Sequence, residues 1–437
     1  MQNFLQFSLH KNFRFDSRHC KEGSIFIALE GGGVSGFEFV ESAFSNGAIG
    51  VISQKEISDV RNFTIHTFPE NFEQNSKFNL VVKDSLKFIQ ELAHEKFEYL
   101  SQNGTKTIAV TGSVGKTTTK ELIANTLINH AETFANFGNY NNHIGVPVTI
   151  LNCPVGCKFL VLEMGMNHAG EITNLTTIAP CDFRIITNAK ESHAGNFPNG
   201  LDGVLEAKFE IMEGEKKFKT FITHELFQRF CHNPRLIEKY SKNEICVLNA
   251  EQKTSYINGK TIFEYDSRNF SVEAVYSKNQ TEMFCLAICA MESVLQSTIS
   301  EISIPQLKGR GNIVEWNGVK IVDESYNASP SSMKNAIENF HKIEGSKLAI
   351  LGDIRELGED SQQFHDGIAP FLTGLDCILV GEYFAKVSVP NAKYFPNYAA
   401  VKQFLGENPN FTKQYQNILV KASNGTLLWK LFDEIFV

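Results

Sequence analysis

The sequence predicts an α/β protein of three domains. Two alternations of apolar strand-like runs with helix-like segments carry this reading, one from 107 to about 300 and one after 312, with the polar break PQLKGRGN (305–312) between them. A shorter mixed stretch fills the first 84 residues. Strands that alternate with helices imply a mostly parallel, doubly wound sheet whose functional groups gather at the strands' carboxyl ends. The expected limits are 1–84, 85–304 and 305–437, and 437 residues are enough for that many cores.

Taken in order, the first domain should contain short strands and helices, a Gly-rich turn EGGGVSGFEF (30–39), a helix-like SAFSNG and a strand AIGVIS (48–53). A linker helix, SLKFIQELAHEKFEYL, carries Leu86, Ile89, Leu92, Ala93 and Leu100 close to a 3.6-residue period. In the middle domain FLVLEM (159–164), FRIIT (183–187) and FKTFIT read as strands, with a helix over roughly 202–213. In the last, VKIVDES, LAILGD, CILVG and NILVKAS read as strands, with helices near 331–341, 361–372 and 426–435.

Residues 107–119, TIAVTGSVGKTTT, run a β-favouring stretch into a Gly-Ser-Val-Gly-Lys-Thr turn. That is a strand delivering a phosphate-binding loop to a helix N-terminus, expected to begin near Thr118. Small residues at Gly112 and Gly115 let backbone N–H groups approach an anion, with Thr111, Ser113 and Val114 completing the loop. Lys116 adds a charge for the β- and γ-phosphates, Thr117 a hydroxyl for Mg²⁺, and Thr118 the first helical turn. A standard loop has glycine where this chain has Val110, so the loop is a shortened one.

The 49 acidic against 41 basic residues, a formal charge of −8, argue against nucleic acid or an anionic membrane as the main partner. No apolar run approaches the length of a membrane span, and the start MQNFLQFSLHKNFRFDSR lacks the apolar core of a secretion signal, so the expected location is cytoplasmic. The nine cysteines have neither zinc-ribbon nor redox spacing and are expected to be free thiols. Most of the 36 phenylalanines are expected in the core.

Several residues outside the loop have chemistry to offer. Glu163 ends the strand next to the loop strand on a parallel reading, where a carboxylate suits hard, oxygen-seeking Mg²⁺; the alternative is a solvated strand end. His193, in NAKESHAGN, is either a neutral imidazole ligand for a second metal or polar surface. Lys208, in EAKFEI, sits in an amphipathic helix, and on sequence alone reads as a solvent lysine. Arg310 in KGRG offers a bidentate match to phosphate, and Asp323 in IVDESYN a match to a ribose diol.

With these residues in place the chain resembles the ATP-dependent Mur ligases of peptidoglycan synthesis. The matching segments keep their order: DSRHCKEGSIFIAL, TGSVGKTTTKE, NYNNHIGVP, VLEMGMNHAGEI, ITNAKESHAGNF, EAKFEI, KGRG, VDESYNASPSSM, LGDIRELGEDSQQFH and ILVKASNG. The resemblance implies a small α/β UDP-sugar-binding domain, a central P-loop ATPase-like domain and a C-terminal Rossmann-like domain, with ATP and Mg²⁺ as cofactors. It implies a monomeric ATP-dependent amide ligase that adds D-alanyl-D-alanine to UDP-N-acetylmuramoyl-tripeptide through an acyl phosphate. By the same resemblance Lys116, His193 and Lys208 are catalytic. Thr117, Glu163, His193 and a carbamylated Lys208 are the metal ligands. Asn142 lies near the nucleotide, and Arg310 and Asp323 contact ATP. Asp16, Ser17 and Arg18, with Tyr326 and Asn327, bind substrate.

The chain departs from the family pattern in places. Only fifteen residues precede Asp16, so the first strands of that domain are expected to be trimmed. Segment 277–290 lacks the usual His-Asn and Asn-Ala pattern near adenine, FITHE lacks Asn-x-Asp, and Ala422 and Asn424 stand where Gly and Arg are common. Another Mur-type ligase, a folylpolyglutamate synthase-like enzyme and a non-catalytic nucleotide-binding protein remain as alternatives. The Asp-Asn-Pro-Arg motif of the diaminopimelate-adding branch is absent.

Overall fold

The computed structural model describes residues 1–437 apart from 74–75, 193, 249–252, 258–259, 274–275, 306 and 437. Its first sheet runs, in spatial order, Asn12–Arg14, Ser24–Ile27, Ala48–Ser53, Phe78–Val81 and Arg61–Phe63, and is parallel throughout. One side of this sheet packs on rings: Phe4, Phe7, Phe63, Phe68, Phe72 and Phe78 form a continuous cluster, with Phe68 and Phe78 5.5 Å apart edge to face. Edge-to-face packing sets positive ring edges on negative faces.

The central sheet has six parallel strands in the order Glu244–Leu248, Lys219–Thr223, Phe183–Ile186, Lys106–Thr111, Phe159–Glu163 and Thr133–Ala135. Its inner strands are almost wholly buried because helices cover both faces. An antiparallel sheet of Thr254–Ile257, Lys260–Tyr265 and Arg268–Glu273 follows. The strand–helix alternation did not reveal it. Phe263, Phe270 and Val272 pack there against the helix Lys278–Leu295.

The third sheet runs Asn312–Trp316, Val319–Glu324, Asn417–Lys421, Lys347–Gly352, Asp376–Val380 and Ala392–Phe395, the first pair antiparallel and the rest parallel. Helix Pro330–His341 begins as its sequence suggests, with Ser329 and Ser332 capping each other across the first turn and proline at the first helical position. The helix expected over 426–435 is broken into short turns, ending in Leu431–Glu434, because Leu427 takes a left-handed φ of 63°. The stretch 361–372 is likewise split into Ser361–Asp366 and Ala369–Leu372. The helix expected over 202–213 stops at Phe209 and continues as a 3₁₀ turn. None of the nine cysteines forms a disulfide, and no helix among the described residues is long and apolar enough to cross a membrane.

The helix Ser85–Gln102 does more than link. Asp84 caps it through the Lys87 N–H, and Phe88, Ile89, Leu92, Ala93, Phe97 and Leu100 lie in one core with Phe4, Phe13 and Phe78 of the first sheet and Val146, Val148 and Leu151 of the central domain. In the middle of it Lys96, 1% exposed, donates to the carbonyls of Leu9 (3.2 Å) and Leu151 (2.6 Å). This ammonium ties the end of the first helix to a helix of the central domain. Burial lowers its pKa from 10.5 to about 8.

A base with a depressed folded pKa burdens the fold while it is charged there, below about 8. That burden lifts as pH rises toward the unfolded value of 10.5, because the unfolded chain then binds more protons. Chemical denaturation at pH 7.5 and 9.5 should therefore show the wild type gaining on the order of 1–2 kcal/mol relative to Lys96→Met.

Candidate functional site

The loop strand ends at Thr111, whose hydroxyl donates to the Met164 carbonyl and faces the neighbouring strand. Gly112 follows with φ +148°, and a Cβ there would lie 1.9 Å from Thr187 Oγ1. Gly115 caps the helix Lys116–Leu127 at φ +83°, and its Cβ would lie 2.4 Å from Met283 Sδ. Both backbone conformations favour glycine, and at Gly112 the packed Thr187 and the Asn188 backbone exclude a side chain as well, whereas at Gly115 only the flexible tip of Met283 would have to move. The helix starts two residues earlier than expected, which brings Lys116 and Thr117 into its first turn.

Neighbouring side chains pin the loop. Ser113 Oγ donates to the Lys190 carbonyl and accepts from the Lys190 N–H, while Asn188 Oδ1 accepts from the Val114 N–H and its amide donates to the Val114 carbonyl. Lys116 folds back on its own loop, donating to the carbonyls of Gly112 (2.8 Å) and Ser113 (3.2 Å). Burial lowers its pKa, the Glu163 carboxylate opposes that, and the Arg310 guanidinium adds to it. Thr118 borders the same cleft.

Parallel pairing sets Glu163 beside Val110. The Glu163 carboxylate is 2% exposed, and it accepts from Thr117 Oγ1 at 2.7 Å on one oxygen and from Asn141 Nδ2 at 2.7 Å on the other. Asn136 brackets the Glu163 backbone, accepting from its N–H and donating to its carbonyl. The buried Lys120 in turn donates to the Asn136 carbonyl at 2.6 Å. Among the described residues no group of three or more His, Cys, Asp or Glu could hold a metal. The donors present are a hydroxyl and a carboxylate, hard oxygens that suit Mg²⁺, which commonly takes its remaining ligands from water and phosphate. Asn142 borders the cleft, with its side-chain oxygen accepting from the N–H groups of Ile144 and Gly145 at the helix Gly145–Asn152. His193 lies outside the described residues.

Lys208 is not a solvent lysine. It is fully buried, and its Nζ has no hydrogen-bond partner among the described residues. Its pKa lies well below the ordinary value, chiefly through burial and then through the Lys116 charge, against the pull of Glu210, Glu163 and Glu171. A neutral amine is the form such a site favours.

The opposite wall comes from the third domain. The Arg310 guanidinium lies 3.9 Å from the Tyr326 ring centroid, a cation–π stack, and Tyr326 and Asn327 border the cleft. Strand alternation separates the two adjacent acids. Asp323 turns inward, 1% exposed, with its oxygens taken by Gly309 N–H and by Ser325 N–H and O–H. Glu324 borders the cleft and pairs with the buried Lys421 at 3.2 Å. The ribose match expected of Asp323 thus falls on a carboxylate already engaged within its own domain. Glu324, Lys421, Asn141 and Asn136 were missed by the sequence reading. The signal for Glu324 was available in the period of two along VKIVDE.

These walls enclose a 650 Å³ cleft. Asn279, Gln280, Met283 and Phe284, from the segment that departs from the family pattern, line it as well. Asp16, Ser17 and Arg18 do not. They form a short turn in the first domain, where Asp16 caps the Arg18 N–H and pairs with its guanidinium, which lowers the Asp16 pKa to about 2. Phe15 beside them touches Tyr140, which joins this turn to the loop that carries Asn141.

Comparison with known proteins accords with this geometry. The chain matches three family models in sequence order: the Mur ligase family catalytic domain (11–97), the Mur ligase middle domain (110–305) and the Mur ligase glutamate ligase domain (309–389). It is 29% identical to the UDP-N-acetylmuramoyl-tripeptide–D-alanyl-D-alanine ligase of Rickettsia prowazekii, over 96% of this chain and 94% of that one. It is also 29% identical to the Bacillus subtilis ligase of the same name, over 96% and 92%. The crystal structure of MurF ligase from Thermotoga maritima in complex with ADP superposes with a TM-score of 0.79 at 26% identity, covering 98% of this chain and 97% of that one. A MurF from Acinetobacter baumannii, 24% identical, shares the fold with a TM-score of 0.82 over 100% and 98%. A phosphate loop facing an arginine-bearing third domain, in a chain that three consecutive models of one family cover, places this protein in the Mur ligase family.

Proposed function

We infer that the chain is an ATP-dependent ligase that joins D-alanyl-D-alanine to UDP-N-acetylmuramoyl-tripeptide, forming ADP, in peptidoglycan precursor synthesis. The observation that carries this is the cleft itself, with the phosphate loop and Glu163 on one wall and Arg310 and Tyr326 on the other. Full-length relatives bear this activity in their names. The protein would act in the cytoplasm as a monomer, where its precursor substrates are made, and so serve cell-wall growth, shape and division.

A carboxylate does not form an amide in water without activation, because its oxygen leaves poorly. The reaction therefore passes the γ-phosphoryl group to the tripeptide's terminal carboxylate, and the dipeptide amine displaces phosphate from the resulting acyl phosphate. The chain's part is positioning and charge. The glycines of the loop admit the phosphates, and Lys116 turns from its own carbonyls to the β- and γ-oxygens. Arg310 meets the transferring group from the other wall. Thr117 and Glu163 would hold Mg²⁺, which supplies positive charge to the phosphate oxygens. Asn142 lies near the nucleotide. Asp16, Ser17 and Arg18 hold the uridine diphosphate end, and Tyr326 and Asn327 meet substrate at the third domain's face.

Lys208 is the chain's unusual reagent. Its neutral amine can add CO₂ and release a proton, giving a carbamate, an anion on a long stem that with His193 would serve a second cation. The orphaned, neutral Nζ fits that modification.

Three outcomes are expected. Lys116→Ala should keep its stability within about 0.5 kcal/mol and fall below about a tenth of wild-type turnover. In CO₂-depleted, metal-free buffer Lys208→Met should resist denaturant better by about 1–3 kcal/mol, because an unpartnered buried amine is gone. It should nonetheless lose turnover, and the carbamate carbon signal that ¹³CO₂ gives the wild type should be absent. ADP release should require D-alanyl-D-alanine together with the UDP-tripeptide. Release that instead requires diaminopimelate with the UDP-dipeptide, or no release with any acceptor, would overturn the assignment.

A further inference from the structure

Two cations, Lys116 and Arg310, line one cleft, and the Arg310 charge adds to the lowering of the Lys116 pKa that burial chiefly causes. Without phosphate between them they repel, and a guanidinium on a loose turn would swing toward water. The turn that carries Arg310 is intrinsically weak. Gly309 and Gly311 flank it at φ +76° and +87°, and glycine has the most conformational freedom to lose. Something outside the turn has to hold it.

We propose that Asp323 is a positioning residue for Arg310, whose carboxylate clamps the Lys308–Gly311 turn so that the guanidinium faces the phosphate loop. Its Oδ2 accepts from the Gly309 N–H at 2.8 Å, on one side of Arg310. Its backbone carbonyl accepts from the Gly311 N–H at 2.7 Å, on the other. Its Oδ1 accepts from the Ser325 hydroxyl at 2.5 Å and N–H at 3.1 Å, and the next residue, Tyr326, donates its N–H to the Gly309 carbonyl and supports the guanidinium with its ring. One buried acid thus fixes both the turn and the platform. A buried carboxylate is costly without such partners, and here three donors meet its oxygens. The acid that borders the cleft is its neighbour Glu324.

The assignment rests on the ligase reading, and its test separates the two. If the wild type shows no dipeptide-dependent ADP release, the ligase reading has failed, and with it this role. If release is seen, a cycle of Arg310→Ala, Asp323→Asn and the double variant tests the role alone. Asp323→Asn sets an amide donor against either the Gly309 N–H or the Ser325 N–H and removes the charge that both donors share, and kcat should fall on the order of a hundredfold, as for a misplaced catalytic group. The double variant should be no slower than Arg310→Ala, and 2′-deoxy-ATP and 3′-deoxy-ATP should be discriminated from ATP by the same factor in wild type and Asp323→Asn. Full additivity would show that Asp323 does not act through Arg310, and discrimination that collapses only in the variant would place the carboxylate on the ribose; either result overturns the proposal. Should Asp323→Asn fail to fold, Ser325→Ala removes one donor from the clamp and enters the same cycle, where non-additivity with Arg310→Ala supports the clamp and additivity overturns it.

Discussion

The parallel register that sets Glu163 beside Val110 is the constraint on which the cleft depends. It brings the carboxyl end of one strand level with the start of the phosphate loop, so that a helix hydroxyl and a strand-end carboxylate meet at 2.7 Å. A slip of one residue would send Glu163 to the other face of the sheet. Asn141, Asn136 and Lys120 secure that register from the neighbouring loop and helix. Asn141 holds the Glu163 carboxylate, Asn136 holds its backbone and Lys120 holds Asn136, so the carboxylate's orientation belongs to a network.

Buried cations recur throughout the molecule, and their partners reveal their roles. Lys96 and Lys120 donate to carbonyls, Arg184 donates to the carbonyls of Cys181, Ile211 and Glu213 and stacks on Phe218, and Lys421 pairs with Glu324. The three lysines are satisfied, whereas Arg184 keeps one guanidinium nitrogen, Nη2, without a hydrogen-bond partner among the described residues, and all four join separate segments of the chain. Lys208 is equally buried, and its Nζ has no hydrogen-bond partner among the described residues. A chain that satisfies its other buried ammoniums would be expected to replace one that it could not, unless the amine itself reacts.

Much of the architecture was legible in the sequence. The phosphate loop announces itself through residue types that chemistry requires in one order, and the strands through apolar runs. The antiparallel strands after 254 were hidden, because they lie between helices in a stretch otherwise read as alternating. The break at Leu427 was hidden because a left-handed leucine leaves no mark in composition. Lys208 illustrates the limit most directly: its helix pattern is ordinary, and only the packing of distant segments buries it. The two acids at 323 and 324 show the opposite case. Strand alternation guarantees that they diverge, and the apolar Val319 and Ile321 on the buried face of the same strand take Asp323 with them and leave Glu324 to the other face.

The ring cluster of the first domain and the helix Ser85–Gln102 share one core, with Phe88 6.0 Å from Phe4. The segment that joins two domains is therefore part of the interior of both. A break in the chain between 84 and 85, by protease or by gene fusion, would strip an apolar face from each piece. Recombination that exchanged the first domain among relatives would have to carry this helix along, or exchange the surface it packs on, so the unit of inheritance here is larger than the sheet it serves.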